Sequence, residues 1–431
     1  MDRLLWGCLL GVGAFGVPLG LGRLEPAPLL TAAINLDPHG ARAPLGVFAA
    51  HLLGWVPVGD LPLRANLAAI LLAALGGVTF GKVVLEALGE ARLRMGLDSF
   101  GQARVSAAGR LPEKLGLDET VAALAGALLP FACFGGFSAL TADPGAAATF
   151  WVTASLWLHG LRLLRVPWAT REGLWLFWYA GLALGAEPVA ALLALPLAVG
   201  FGWTGLRAGE RWPLLAPLAA MAGAALVVGA EGAVGGAGAS GIWARLGAGM
   251  GELLTGARAA SWMAGGGEAL AQVGVLAALL GAFGGLRLLP RLPWVVAGLL
   301  YAGVVALSLA GAVDGARFGS GAWVVLLGAL ALPMAAGVAE VAASLGPARA
   351  AAALVVAVVA LVGPALDGGS RRWPSGPPLP QRLLVEAHAS LPPASGVDPG
   401  SQPMLRLLEL GAALGLRPDL EVAATDPNTS K

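Results

Sequence analysis

The stretch NLDPHGARAPLG, residues 35–46, places an acid, an imidazole and a guanidinium group close together, at Asp37, His39 and Arg42. Charged residues make up only 12% of the chain, so such a group is unusual here. An imidazole can act as a base or donate a hydrogen bond, and a guanidinium group can bind an anion or extend to lipid headgroups. Asp37 also precedes Pro38, which is typical of a turn. The stretch is therefore either part of a site or a loop that meets water.

The composition indicates what kind of protein carries this stretch. Hydrophobic residues make up 57% of the 431 residues, and the mean hydropathy is +0.76, both higher than a soluble domain needs. Several apolar runs exceed about 18 residues, enough to cross about 30 Å of hydrocarbon, and the alternating segments of a β-barrel are absent. The net charge of +1 argues against a nucleic-acid partner. We therefore predict an all-α polytopic membrane protein whose partner is the lipid bilayer.

The apolar segments predict about eleven transmembrane helices, with a range of ten to twelve. The first segment has a weak charged region and no clear cleavage site, so we predict an uncleaved helix. The stretch 44–58 is apolar but short, which predicts an interfacial or re-entrant segment. The predicted helices lie near residues 4–22, 63–89, 119–141, 146–164, 172–186, 188–206, 213–231, 269–286, 293–311, 322–345 and 349–366.

The basic residues of the loops predict an orientation. Lys and Arg are more frequent in alternate loops, starting with the N-terminus, so we predict a cytoplasmic N-terminus and, with an odd helix count, an extracytoplasmic C-terminus. Abundant Ala, Gly, Leu and Arg are typical of GC-rich bacteria, which suggests the bacterial inner membrane. The predicted parts are a transmembrane domain over 1–366 with outer loops 23–61 and 232–268, a Pro-rich linker over 367–380, and a small extracytoplasmic segment over 381–431.

Sequence motifs for metals and cofactors are absent. We find no GxGxxG, Walker, CxxC or HExxH pattern and no acidic DxD pair. Cys8 and Cys133 both fall in apolar segments, where they predict neither a disulfide framework nor a metal site. We therefore expect no metal and no cofactor.

The stretches DPHGARAPLGVFAAHLLGWVP and LPLRANLAAILLAAL form a predicted outer loop and the start of the next long helix. They resemble a bacterial family of uncharacterised membrane proteins similar to protein O-mannosyltransferases. In that family a His-Pro-Pro-Gly-x-Pro-Leu motif ends the first outer loop, and Arg-x-Asn-Leu opens the second long helix. Later stretches also look like the family, including WYAGLALGAEPVAALLALPLAV. The matching positions, with a slip of a residue or two near Gly40, are His39, Gly40, Pro44, Leu45, Arg64, Asn66 and Leu67, with Glu187 near a polar position of a later helix pair.

The resemblance implies a GT-C fold, a multi-helix membrane domain with its active site on the outer face. Such enzymes move a sugar from a polyprenyl-phosphate carrier to an acceptor hydroxyl, with an acidic residue as the base and cations or N–H donors for the leaving phosphate. The base would be Glu25, or else Asp37. The acceptor is a protein, lipid or glycan hydroxyl. The residues expected to bind the substrate or carrier are His39, Arg42, Arg64, Asn66 and Glu187.

In the family, the first outer loop also carries an acid pair, in Asp-Ser-Gly-Glu. The sequence departs from the family there, because the position of that Asp falls on or near Glu25 and the position of that Glu falls on Pro28. This departure favours a second hypothesis, a catalytically degenerate relative that binds a lipid-linked glycan or serves as an envelope partner subunit. A third hypothesis, a small-molecule transporter, fits the helix count, but the sequence lacks the paired internal repeats of many transporters. Simpler roles also stay open: Arg64 extending to headgroups, Asn66 bonding a neighbouring helix, and Glu187 in an interfacial turn.

Overall fold

The computed structural model describes residues 43–56, 61–100, 116–166, 169–232, 239–256, 259–311, 321–345 and 348–372. Within these residues the chain forms helices and one short 3-10 turn, Ala183–Gly185, and no strand. The helices are α1 Pro44–Gly54, α2 Leu61–Phe100, α3 Leu117–Ala132, α4 Phe134–Ala142, α5 Pro144–Arg165, α6 Thr170–Leu182, α7 Pro188–Arg207, α8 Trp212–Gly232, α9 Ala239–Gly256, α10 Ala259–Val273, α11 Val275–Leu288, α12 Pro293–Gly311, α13 Gly321–Ser344 and α14 Arg349–Arg372.

Four of the described helices are long and apolar enough to cross a membrane, and two bent helix pairs raise that number to six if each pair is one span. The four are Asn66–Arg92 within α2, α7, Trp212–Gly229 within α8, and α13. The all-helical prediction is thus confirmed for the described residues, but eleven spans are not. The reason is visible in the shorter elements: α6 has only 13 residues, and α12 and α14 each contribute an apolar stretch below 18 residues.

The outer surface of the bundle agrees with a lipid environment. Large apolar side chains on α7 and α8 face away from the protein, and Leu195, Leu218 and Met221 are each more than half exposed. Monomeric soluble proteins rarely expose apolar surface of this extent. Together with the apolar helices, this surface indicates a multi-pass membrane protein.

Two helices are broken inside the bundle, and the breaks contact each other. The chain bends by 107° between α10 and α11 at Gly274, whose φ of 80° favours glycine, and by 81° between α3 and α4 at Cys133. The backbone N–H of Gly135 donates to the Gln272 side-chain oxygen at 3.0 Å, and the Gln272 amide nitrogen donates to Glu268 at 3.0 Å. These bonds satisfy polar groups that a helix break leaves open in an apolar interior.

The helices define two ends of the bundle. We call the end formed by Ala43, Arg64, Gly145, Glu187 and Gly321 the loop end, because residues 1–42 lead into it. There the backbones of α1 and α5 approach so closely at Gly46 and Gly145 that a Cβ atom on Gly46 would overlap the Gly145 backbone. We call the opposite end, formed by Glu86, Glu90, Arg162, Arg165 and Glu172, the charged end.

Helix α1 lies at the loop end and does not cross the bundle. Its first turn contacts Gly145 at the start of α5, and its last residue, Gly54, accepts a hydrogen bond from Arg64 near the start of α2. Both contacts are at the same end, and 11 residues of helix rise only about 16 Å. The interfacial or re-entrant segment predicted for 44–58 stays a prediction.

Helices lie within two stretches that were predicted as connections. The predicted outer loop 232–268 contains α9 and the first part of α10, where Trp262 donates a hydrogen bond to Ser308 of α12 at 2.9 Å. Of the described glycines in this stretch, Gly247, Gly251 and Gly266 lie within helices and have open space around them. Helix α14 continues to Arg372, into the predicted linker 367–380. The segment 381–431 and most of the outer loop 23–61 lie outside the described residues.

Candidate functional site

The loop end holds the three described members of the predicted site. Arg64 and Asn66 are in the first turns of α2, and Glu187 precedes α7. The other predicted members, Glu25, Asp37, His39 and Arg42, lie outside the described residues. Since Ala43 directly follows that stretch and packs beside Gly145, the chain enters the bundle at this same end.

Glu187 is buried, with 6% of its surface exposed, and it joins three helices. Its carboxylate oxygen Oε1 accepts a hydrogen bond from the backbone N–H of Gly321, the first residue of α13, at 2.7 Å. Its own backbone N–H donates to Oγ1 of Thr149 on α5 at 3.0 Å. An acid at a helix N-terminus satisfies a free N–H and faces the positive end of the helix dipole. Glu187 therefore fixes the start of α13 against α5 and α7.

Arg64 is partly buried and held in place by α1. Its guanidinium nitrogen donates to the Gly54 carbonyl oxygen at 2.6 Å, which satisfies one of the carbonyl groups at the C-terminus of that helix. The guanidinium group is planar and carries its N–H donors in a fixed geometry, so this bond orients it. The positive charge is thereby fixed at the loop end.

Asn66 is almost completely buried, with 3% of its surface exposed, and its side-chain nitrogen Nδ2 has no hydrogen-bond partner in the part of the chain that the structure describes. Gly76 and Phe80, ten and fourteen residues further along α2, contact Phe150 of α5. Helical spacing places Asn66 on the same side, at the loop end of this helix pair. A buried donor without a partner costs about 1–3 kcal/mol, so this one calls for an explanation.

The charged end carries an ion-pair network that the sequence interpretation did not identify. Arg165 lies between two acids of α2, at 2.8 Å from Glu86 and 3.1 Å from Glu90, and Arg162 contacts Glu86 at 3.2 Å. The signal was available, because Glu86 and Glu90 are four residues apart and so share one face of the helix. The network joins α2 to α5.

His159 and Glu172 form a second part of this network, between α5 and α6. The imidazole nitrogen Nδ1 lies 2.6 Å from the carboxylate oxygen Oε2, and the imidazole ring stacks on Tyr179 and Trp175. The hydrogen bond with His159 lowers the pKa of Glu172, against burial, which raises it, and the nearby Arg162 lowers it further. An ionised carboxylate only accepts, so Nδ1 carries the proton.

The described residues contain no group of three or more His, Cys, Asp or Glu side chains that could hold a metal ion. In comparisons with known proteins, no family model matches the sequence, and neither a curated protein nor a solved structure matches it. The resemblance to the O-mannosyltransferase-like family therefore stays a prediction.

Proposed function

We propose that the protein is a membrane glycosyltransferase that moves a sugar from a polyprenyl-phosphate carrier to an acceptor at the loop end. In this proposal the loop end faces outward from a bacterial inner membrane, the N-terminus is cytoplasmic and the C-terminus is extracytoplasmic. Glu25, or else Asp37, deprotonates the acceptor hydroxyl, and His39, Arg42 and Arg64 bind the carrier phosphate.

The observation that carries this proposal is the unpartnered Nδ2 of Asn66. The group is buried near the start of α2, two residues from Arg64 and at the end of the bundle where Ala43 packs beside Gly145. A phosphate or sugar oxygen would supply the missing acceptor, and the nearby start of α2 also carries the positive charge of Arg64. Ligand binding would then recover the free energy that the buried amide loses in the empty protein.

A second candidate, a non-catalytic protein that binds a lipid-linked glycan, is favoured by a different observation. Arg64 and Glu187 both hold helices together, through Gly54 and Gly321. The acid pair of the family is also replaced, at Glu25 and Pro28. Both features fit a fold that is kept for binding after turnover is lost.

The test is sugar release by the purified protein from a panel of radiolabelled polyprenyl-phosphate sugars. We expect Glu25→Gln or Asp37→Asn to abolish turnover. We expect Asn66→Leu to lower turnover by about tenfold or more while leaving the thermal midpoint unchanged or higher, because Leu has a similar volume and no unpaired donor. Thr79→Val is the matched control on α2, since the Thr79 hydroxyl donates to its own helix at the Leu75 carbonyl, at 2.8 Å.

The outcomes separate the two candidates. If the wild type turns over and either Glu25→Gln or Asp37→Asn abolishes turnover, the protein is an enzyme and the substituted carboxylate is its base. Saturable donor binding without turnover, weakened by Asn66→Leu but not by Thr79→Val, establishes the second candidate. If the protein shows no binding and no turnover with any donor of the panel, both candidates are contradicted.

A further inference from the structure

A cleft of about 690 Å³ lies between α6 and α8, near the charged end and away from the proposed sugar-transfer site. One of its lining side chains is charged, that of Arg171, and two are indoles, those of Trp175 and Trp178. Trp175 is 40% exposed, so the cleft is open at the protein surface. The remaining lining residues are Thr170, Leu174 and Ala219.

Arg171 brings a positive charge to this cleft. Within the described residues its side chain makes no ion pair or hydrogen bond. The neighbouring acid, Glu172, cannot neutralise it, because consecutive residues of a helix point in different directions and Glu172 is bound to His159 and Arg162. The acids Glu86 and Glu90 are likewise engaged with α5. An anion that enters the cleft would therefore meet a guanidinium group that no described residue neutralises.

Apart from Thr170, the other lining residues are apolar or aromatic, and exposed apolar side chains follow along α8. From Arg171 to Trp178 the cleft follows α6 for about two turns, roughly 10 Å toward the middle of the bundle. On α8, the side chains of Leu214 and Leu218 are exposed by 70% and 62% and extend the apolar surface. The cleft thus has a cationic part at the end of the bundle and an aromatic part deeper in the apolar zone.

The floor and one wall of the cleft are rigidly built. Helices α6 and α8 run parallel and touch through glycines, since a Cβ on Gly181 would overlap the Ala220 carbonyl and one on Gly223 would overlap the Trp178 carbonyl. The indole of Trp175 stacks on the imidazole of His159 with their ring centroids 6.3 Å apart. The His159–Glu172 pair therefore holds Trp175 in position at the cleft wall.

We propose that this cleft is a binding site for one anionic phospholipid, with its phosphate at Arg171 and an acyl chain along Trp175 and Trp178. The charge selects an anionic headgroup over a zwitterionic one, because a zwitterionic lipid brings an ammonium group close to the guanidinium. The aromatic walls select a ligand with a hydrocarbon chain over a free phosphate. The site is independent of the sugar-transfer proposal, because it lies at the opposite end of the bundle.

The experiment measures binding of short-chain lipids to the full-length protein in a neutral detergent, by native mass spectrometry and by calorimetric titration. The probes are dioctanoyl phosphatidylglycerol, dioctanoyl phosphatidylcholine and inorganic phosphate. We expect phosphatidylglycerol to bind saturably. Arg171→Gln should weaken this binding roughly tenfold or more, because it removes one charge-assisted contact. The matched control is Arg211→Gln, an arginine outside the cleft and likewise unpaired within the described residues.

Trp175→Ala should weaken phosphatidylglycerol binding, whereas Trp294→Ala, an exposed tryptophan on α12, should not. Equal affinity for the two lipids, or Arg171→Gln binding as tightly as the wild type, would overturn the proposal. Inorganic phosphate that displaces the lipid at a similar concentration would also overturn it, because the acyl chain would then contribute nothing. Arg171→Lys keeps the charge and should retain the preference for the anionic lipid. Circular dichroism spectra of each variant show whether a loss of binding reflects unfolding.

Discussion

At the scale of single residues, Glu187 and Asn66 are both buried polar groups at the loop end, but their hydrogen bonding differs. The Glu187 carboxylate accepts from the Gly321 backbone, whereas Nδ2 of Asn66 has no partner within the described residues. A satisfied buried bond contributes about 1 kcal/mol or more, and an unsatisfied donor costs about 1–3 kcal/mol. Glu187 therefore belongs to the fold, and Asn66 is the better candidate for ligand contact.

This distinction predicts stability losses of different size for two Glu187 variants. Glu187→Ala should lower the free energy of unfolding by about 2 kcal/mol, because it leaves the N–H of Gly321 buried without its acceptor. Glu187→Gln keeps an acceptor oxygen and should lose less than about 1 kcal/mol. Unfolding in mixed detergent micelles, followed by circular dichroism, measures both. If the two variants are equally stable, the carboxylate does not hold the start of α13.

The residues of the site were partly accessible from the sequence. Arg64, Asn66 and Glu187 were identified by resemblance, and all three lie at one end of the bundle, because the alternation of helix directions brings every second connection to the same end. The pairing of His159 with Glu172 was missed, because it depends on how α5 and α6 pack across a turn and not on any local spacing. Side-chain contacts between different helices cannot be predicted from local patterns in a single sequence.

At the scale of elements, hydropathy located the apolar segments but not the helix breaks. Residues 119–141 and 269–286 each contain a bend that the apolar composition hides, at Cys133 and at Gly274. A break is tolerated there because Gln272 supplies hydrogen-bonding groups from a neighbouring element. Such compensation comes from tertiary structure, so the number of spans could not be derived from segment lengths alone.

The glycine contacts between α6 and α8 lead to a prediction at this scale. Gly181→Ala should destabilise the protein by about 1–3 kcal/mol, because the added methyl group overlaps the Ala220 carbonyl oxygen and forces the two helices apart. Gly229→Ala is the matched control on α8, since no atom lies within 4 Å of its added Cβ. It should be neutral or slightly stabilising, because Ala favours helix. Thermal unfolding in detergent compares the pair, and equal midpoints would contradict close packing of α6 on α8.

At the scale of the whole molecule, charge is distributed unequally between the two ends. At the charged end the acids of α2 and α6 are bound to Arg162 and Arg165. Further arginines beside the α7–α8 turn, Arg207 and Arg211, form no ion pair within the described residues, and Arg207 stacks on Trp203. Loops with excess arginine stay on the cytoplasmic side of a membrane. The lipid site proposed at Arg171 and the sugar-transfer site proposed at the loop end would then face opposite leaflets.

The last prediction tests this orientation with single cysteines and a membrane-impermeant maleimide in intact spheroplasts. Trp55→Cys, at an exposed position of the loop end, should be labelled from outside, and Glu210→Cys, in the α7–α8 turn, should be labelled only after permeabilisation. The parent protein with Cys8→Ser serves as background, because Cys133 is fully buried and should not react. Labelling of Glu210→Cys but not Trp55→Cys in intact spheroplasts would reverse the orientation. The loop end would then face the cytoplasm, so an outward-facing carrier could not reach Asn66.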